Sequence, residues 1–334
     1  MCLMTGAFSR RFFVLFLSTL VCVTTAHSVG FREMSTNDGT FSVWYPSDTP
    51  SKLQRLGPFN LEISKNSPIK KGRYEIVLFS HGNSGFYRNH YLTIQALVNV
   101  GFVVIAPQHE ADYLVGGNKT SAALNHRYFE ISKALDAVEN SIEFGDYVDI
   151  KKVHGIGYSL GSVSTLLAAG AIFSLQHSDD YCRRNELLDP NFCEDPGWIY
   201  RLIQSFRHDV VLPPTNDSFS QKPLISGKVV LVAPIFQGIR PSAKLSMSSL
   251  TVFAFNSDVI AIPAYHALPL HDEFSLYIPS EYLEVEGHHY AFISPFPKWL
   301  TEEEDIPVAK DPEGFDRAMF LNDLNEKIVK QITH

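Results

Sequence analysis

Val153-His154-Gly155-Ile156-Gly157-Tyr158-Ser159-Leu160-Gly161-Ser162 is the stretch that decides the fold. Residues Val153 to Ile156 make a short, largely apolar run that suits a buried strand, and residues Ser162 to Ala169 are small and apolar enough to start a helix. Between them stands Gly-x-Ser-x-Gly. The bare pattern arises by chance in long chains, but a strand before it and a helix after it are the setting of a nucleophile elbow. A serine alcohol is a poor nucleophile at neutral pH, so it has to sit at a sharp turn where a base reaches Oγ and backbone N–H groups face the oxyanion. Gly157 and Gly161 allow that crowding because neither carries a Cβ where strand and helix pack together.

Outward from the elbow, Phe41 to Pro46, Tyr74 to Phe79, Gly101 to Pro107, Val229 to Val232, Leu250 to Phe255 and Tyr282 to Val285 read as further strands. The amphipathic stretch Tyr87 to Asn99 reads as a helix, and the Pro-, Ser-, Lys- and Asn-rich segment Thr49 to Gly72 as connecting loop. Strands that alternate with helices predict an α/β protein with a mainly parallel sheet flanked by helices. About sixty residues, 171–227, separate the elbow helix from the strand at Val229, far more than a compact crossover needs. They read as an insertion or lid. Within them Trp198, Ile199, Leu202, Ile203 and Phe206 fall at helical spacing, before a return through Pro213-Pro214. A helix packed on the body is the plainer reading, and a lid or a surface touching lipid the other.

The serine needs a base, a carboxylate that orients it and donors for the oxyanion. Asp258 follows the strand Leu250 to Phe255, where open parallel sheets present functional groups. Asp272 and Glu286 compete for its role, but neither follows a sheet strand so closely. The base is His288 or His289 in Glu286-Gly287-His288-His289-Tyr290-Ala291-Phe292, and spacing alone does not choose. Oxyanion donors are assigned to the backbone N–H of Leu160, just past the serine, and of Asn83 in the glycine-containing loop Ser80-His81-Gly82-Asn83-Ser84-Gly85. His81 precedes the loop apex and is expected to brace it. His109 and Glu110 either line the pocket or belong to a solvated loop.

The chain has 334 residues, 45% of them hydrophobic and 19% charged, the composition of an ordinary globular protein with a sizeable core. Residues 1–26 stand apart: Arg10 and Arg11 precede the apolar run Phe12 to Val23, and Thr24-Thr25-Ala26 offers small residues for cleavage, which predicts a signal peptide. Its removal takes the net charge from −8 to −10. Such an acidic chain lacks the basic stripe of a nucleic-acid binder. Cys182 and Cys193 remain, and an even pair in an exported chain suggests one disulfide closing a short loop. Asn118-Lys119-Thr120 and Asn216-Asp217-Ser218 match glycosylation sequons. No phosphate loop, no His-Glu-x-x-His pair and no dinucleotide fingerprint occurs, so neither metal nor cofactor is expected.

With these pieces in place the chain resembles the α/β-hydrolases, and within them the secreted bacterial dienelactone-hydrolase-like proteins related to platelet-activating factor acetylhydrolases. The resemblance rests on Val43-Trp44-Tyr45-Pro46, Phe79-Ser80-His81-Gly82, Gly157-Tyr158-Ser159-Leu160-Gly161, Asp258 and His289-Tyr290-Ala291-Phe292. In that family a His-aromatic-x-Phe pattern carries the catalytic histidine, which implies His289 over His288, and the second oxyanion donor follows the His-Gly pair, which implies Asn83. Tyr158 stands where histidine is common, Ser162 where a second glycine is usual, and the insertion with its cysteine pair is a larger departure. The resemblance implies a single hydrolase domain over 27–334 and hydrolysis of a small-molecule or lipid ester through Ser159, His289 and Asp258. The expected location is secreted or periplasmic. An acyltransferase using the same acyl-enzyme and a non-catalytic binding protein on the same scaffold are the competing readings.

Overall fold

Period-two alternation along the central strands builds a core on each face of one sheet. In β5 (Tyr74–Ser80), Ile76 and Leu78 face one side and Val77 and Phe79 the other; in β6 (Val103–Pro107), Val103 and Ile105 oppose Val104 and Ala106. The computed structural model describes residues 28–109, 121–193, 218–303 and 306–334. Over these, β1 (Ser28–Thr36), β2 (Gly39–Ser47), β3 (Lys52–Leu56), β4 (Phe59–Lys65), β5, β6, β7 (Val148–Tyr158), β10 (Lys228–Val232), β12 (Ser249–Phe255) and β13 (Ser280–Val285) form a ten-stranded sheet of order β13-β12-β10-β7-β5-β6-β2-β1-β4-β3. The six strands from β13 to β6 run parallel, and β2 pairs antiparallel with β6.

Helices cover both faces. α1 (Tyr91–Asn99) and the C-terminal helix α6 (Arg317–Thr333) bury Ile94, Leu97, Leu321 and Ile328 against the face of Val77 and Phe79. On the opposite face α2 (Ser121–Glu139) and α3 (Leu160–Ala168) bury Ile131, Val163 and Leu166 against Ile76 and Leu78. The chain leaves β5 for β6 on one flank and returns to β7 on the other, so the topology switches direction beside β5. The crevice beyond the carboxyl ends of such strands is where open α/β sheets bind ligands.

Two sequence expectations change. Residues 49–72, expected to be loop, contain the hairpin β3–β4 around the turn Gly57-Pro58. Phe59, Leu61 and Ile63 are buried while Asn60 and Glu62 are exposed, an alternation that the segment's polar composition obscured. The expected helix over 87–99 begins as a 3-10 turn, Tyr87–His90, before α1.

From the inserted segment, β8 (Ile172–Ser174) and β9 (Ser218–Ser220) join β11 (Ile239–Arg240), which lies beyond it, in a separate three-stranded sheet of order β11-β8-β9. The disulfide Cys182–Cys193 joins α4 (Leu175–Asn185) to α5 (Pro190–Cys193). Inside the loop it closes, buried Asp189 accepts the Tyr181 hydroxyl at 2.9 Å and faces His266 Nε2 at 2.9 Å, tying the loop to the body. The expected leader, Glu110, the helix at Trp198–Phe206 and the sequon asparagines lie outside the described residues. No described helix is long and apolar enough to cross a membrane. A mainly parallel sheet covered on both faces, with its strand order reversing beside a strand that ends in a Gly-x-Ser-x-Gly turn, is an α/β-hydrolase fold.

Candidate active site

Four strand ends converge on one crevice. β7 ends at Tyr158 and delivers Ser159, β5 delivers the loop His81–Gly85, β12 delivers Asp258 and β13 delivers the 3-10 turn His289–Phe292. Ser159 sits at φ 51° and ψ −122°, outside the regions an L-residue prefers. The turn is held from both sides: Ser159 N–H donates to Val232 O at 3.1 Å, and Ser162 N–H to Ser159 O at 3.0 Å. A Cβ added at Gly161 would lie 2.1 Å from Ser80 O and 2.6 Å from His81 O, so only glycine lets α3 start against the β5 loop.

Ser159 Oγ lies 3.0 Å from His289 Nε2, and His289 Nδ1 lies 2.7 Å from Asp258 Oδ2. All three residues are at most 5% exposed. Asp258 Oδ1 accepts the N–H groups of Ile260 and Ala261, both at 2.8 Å, which fixes the carboxylate plane. With a carboxylate facing Nδ1, that nitrogen carries the proton and Nε2 is left to accept the serine hydroxyl. The two loops also hold each other, through Ser257 N–H to Gly287 O at 3.0 Å and Gly287 N–H to Asn256 Oδ1 at 3.2 Å. Tyr158, which departs from the resembled pattern, is buried and donates its hydroxyl to His289 O at 2.9 Å. Burial, and after it the charge of Asp258, holds that phenol well above its ordinary range, so it stays a donor.

The other candidates separate cleanly. His288 turns away, with Nε2 at 3.0 Å from Asp311 Oδ1 and its ring against Phe315. Asp272 is exposed beside His271, and Glu286 is exposed. Leu160 and Asn83 both line the pocket that opens over Ser159.

Beneath the His81–Gly85 loop is a buried polar network that the sequence reading missed. Arg127, fully buried on α2, donates to His81 O at 2.9 Å and to Gly82 O at 3.1 Å. His109, expected to line the pocket or sit in a solvated loop, is wholly buried instead. Its Nδ1 faces Glu130 Oε2 at 2.7 Å, its Nε2 accepts from Ser80 Oγ at 2.8 Å, and its backbone N–H donates to His81 Nε2 at 3.1 Å. His81 Nδ1–H donates to Gly82 O at 2.8 Å, so His81 braces the loop as expected. Residues from β5, β6 and α2 meet here, a juxtaposition that no local motif announces. His90, against Tyr158 and Phe292, donates to Phe292 O at 3.2 Å and also lines the pocket.

Burial, reinforced by the charge of Arg127, pushes His81 down to about 3; burial does the same to His90, and His109 is lowered well below its ordinary 6.5. In the unfolded chain these imidazoles take up protons near pH 6.5, whereas in the folded protein they do so only far lower. The unfolded state therefore binds more protons between these limits, and folding stability falls as pH drops below about 6.5. Thermal unfolding midpoints measured from pH 7.5 to pH 5 are expected to decline steadily; a flat profile contradicts this burial.

The pocket has a volume of about 620 Å³ and is walled by Ile235, Ile260, Ile293, Phe296, Leu300 and Val308, with Ser159 and His289 at its polar end. Among the described residues no cluster of three His, Cys, Asp or Glu side chains has a metal-binding arrangement. Residues 50–116 match the sequence model of a family described as platelet-activating factor acetylhydrolase, isoform II, which bears out the platelet-activating factor acetylhydrolase part of the resemblance. The match takes in the β3–β4 hairpin, β5, the His81–Gly85 loop, α1 and β6. No curated protein matches the chain.

Proposed function

From that match and from a serine, an imidazole and a carboxylate in hydrogen-bonded series at the end of an apolar pocket, we propose that the protein is an exported serine hydrolase of carboxylic esters, lipase- or phospholipase-like. The single observation that carries the reading is the series Ser159 Oγ, His289 Nε2, His289 Nδ1, Asp258 Oδ2, with contacts of 3.0 and 2.7 Å. Ser159 Oγ attacks the ester carbonyl while His289 Nε2 takes its proton, and Asp258 holds the imidazolium that forms. Collapse of the tetrahedral intermediate expels the alcohol, which receives that proton. A water activated by the same nitrogen then releases the acid. The 27–334 chain acts as one hydrolase domain, and the disulfide loop places Asn191 on the pocket wall, where its amide also donates to Val259 O at 2.7 Å.

Leu160 N–H belongs to the first turn of α3, where no intrahelical partner exists and the helix dipole favours negative charge. For Asn83 the support is indirect. In a trans peptide the C=O and N–H point in opposite directions. Arg127 holds Gly82 O, which supports a reading in which Asn83 N–H points the opposite way, towards the pocket that Gly82 and Asn83 line. Arg127 is then a positioning residue for the oxyanion. Lysine keeps its charge but lacks the planar fork that reaches two carbonyls. Arg127→Lys is expected to lower kcat by about 10²-fold, the scale of one lost oxyanion donor, with KM little changed. Kinetics beside a melting curve test this, and a loss confined to stability would refute it.

Hydrolysis itself is tested by initial rates on nitrophenyl esters of graded acyl length and by product analysis with an added alcohol. Free acid as the main product supports the hydrolase, and an acylated alcohol would assign the transferase instead.

A further inference from the structure

Among the described residues that line the pocket, Arg88 is the one with a full charge, and no described Asp, Glu or Lys accompanies it. The chain is acidic overall, yet no carboxylate lies within ion-pair distance of this guanidinium among the described residues. Five other arginines are ion-paired, Arg32 with Glu143, Arg73 with Asp149, Arg183 with Asp180, Arg240 with Glu273 and Arg317 with Asp311, while Arg55 and Arg127 bond main-chain oxygens. Glu33 accepts the Tyr87 hydroxyl and forms no ion pair with Arg88.

Arg88 is nevertheless seated. Its guanidinium carbon stands 5.4 Å from the centre of the Phe86 ring and 5.3 Å from that of Tyr87. On its other flank is the turn of the β3–β4 hairpin, where Gly57 has φ +62°, and a Cβ there would come within 3.1 Å of Arg88 Cδ and 3.2 Å of Nη1. The hairpin that the sequence reading took for loop therefore closes over the arginine. Ring faces attract a cation without neutralising it. A half-buried guanidinium with no counter-charge, held beside an apolar cavity, still has its forked donors to offer, and their geometry suits a carboxylate or phosphate. Arg55 donates to Gly57 O at 3.2 Å and so braces the same turn.

We propose that Arg88 anchors an anionic oxygen group, carboxylate or phosphate, carried by the ester substrate, so that the pocket selects anionic esters. This rests on the ester-hydrolase reading. The anion sits on either the acyl chain or the alcohol, and matched substrates separate the two. 4-Nitrophenyl hydrogen glutarate against 4-nitrophenyl pentanoate places it on the acyl side, and 4-acetoxybenzoate against 4-acetoxybenzamide on the leaving group. The protein is expected to show a kcat/KM for one anionic member at least tenfold above its neutral partner. Arg88→Gln should lower that ratio at least tenfold, with the loss in KM, and added salt should erode it likewise. Arg88→Lys should recover part of it. Equal effects of Arg88→Gln on anionic and neutral members of both pairs would overturn the proposal. Calorimetric titration of the Ser159→Ala protein with glutarate and with inorganic phosphate reads the anion site without turnover. Binding that disappears in Ser159→Ala/Arg88→Gln supports the anchor even if no ester is hydrolysed, in which case only the hydrolase reading fails. No binding of either anion counts against the anchor.

Discussion

Ser159→Ala is expected to lower kcat by about 10⁶-fold, His289→Ala by a similar factor, and the double variant by no more than either alone. The reason lies in how the two groups are joined. In the proposed mechanism Oγ becomes a nucleophile only as Nε2 takes its proton across 3.0 Å, so losing either partner stops the same event. What survives is the rate supplied by substrate binding and by the backbone donors, which neither change touches. His288→Ala is the internal control. It is the adjacent imidazole, but its Nε2 faces Asp311 in the C-terminal part of the chain, and rates within about twofold of the parent are expected. Initial rates on one nitrophenyl ester across the four variants decide the matter. Additive losses, or a large effect at His288, would contradict the assignment.

Asp258→Asn carries the second largest expected loss, about 10⁴-fold in kcat with the fold intact. Here the surrounding hydrogen bonds dictate the outcome. Oδ1 of Asp258 accepts two backbone N–H groups, from Ile260 and Ala261, at 2.8 Å each. An asparagine must keep its oxygen there, since its NH₂ facing two donors would leave all of them unpaired. That places the NH₂ against His289 Nδ1, which can pair with it only by becoming an acceptor. The proton then moves to Nε2, and the imidazole can no longer take one from Ser159. A fall in kcat with KM and melting temperature preserved is the expected signature. A fall in melting temperature with kcat spared would mean that Asp258 serves only the loop.

Much of this site is legible in the chain because its parts sit at strand ends. The elbow can be read directly: Gly157 and Gly161 stand where a Cβ would strike Thr165 Oγ1 or Ser80 O, a demand that only strand-turn-helix geometry makes. Asp258 and the His288-His289 pair each follow a short strand, and the parallel run of those strands brings them to one edge of the sheet. Adjacency defeats spacing at the histidines. His288 is the last extended residue and His289 the first of a 3-10 turn, so the two rings leave in different directions. The family resemblance supplied the choice that spacing lacked.

Two other parts were hidden for different reasons. The β3–β4 hairpin carries a strand alternation, Phe59-Asn60-Leu61-Glu62-Ile63, inside a polar segment, and composition pointed to loop. The network of Arg127, His81, His109 and Glu130 joins residues from three elements, and each alone reads as an ordinary polar residue. Arg127 pairs with main-chain carbonyls, whose position exists only once the β5 loop has formed. Buried polar groups of this kind are found by asking where each donor ends, a question that needs coordinates.

Covalent capture tests the central claim most directly. The protein is incubated with a fluorophosphonate ester, its intact mass is measured, and the modified peptide is sequenced by fragmentation. A single adduct on Ser159, absent from Ser159→Ala and slowed greatly in His289→Ala, is the expected result. An adduct on another residue, or no adduct while esters are still being hydrolysed, would contradict the account.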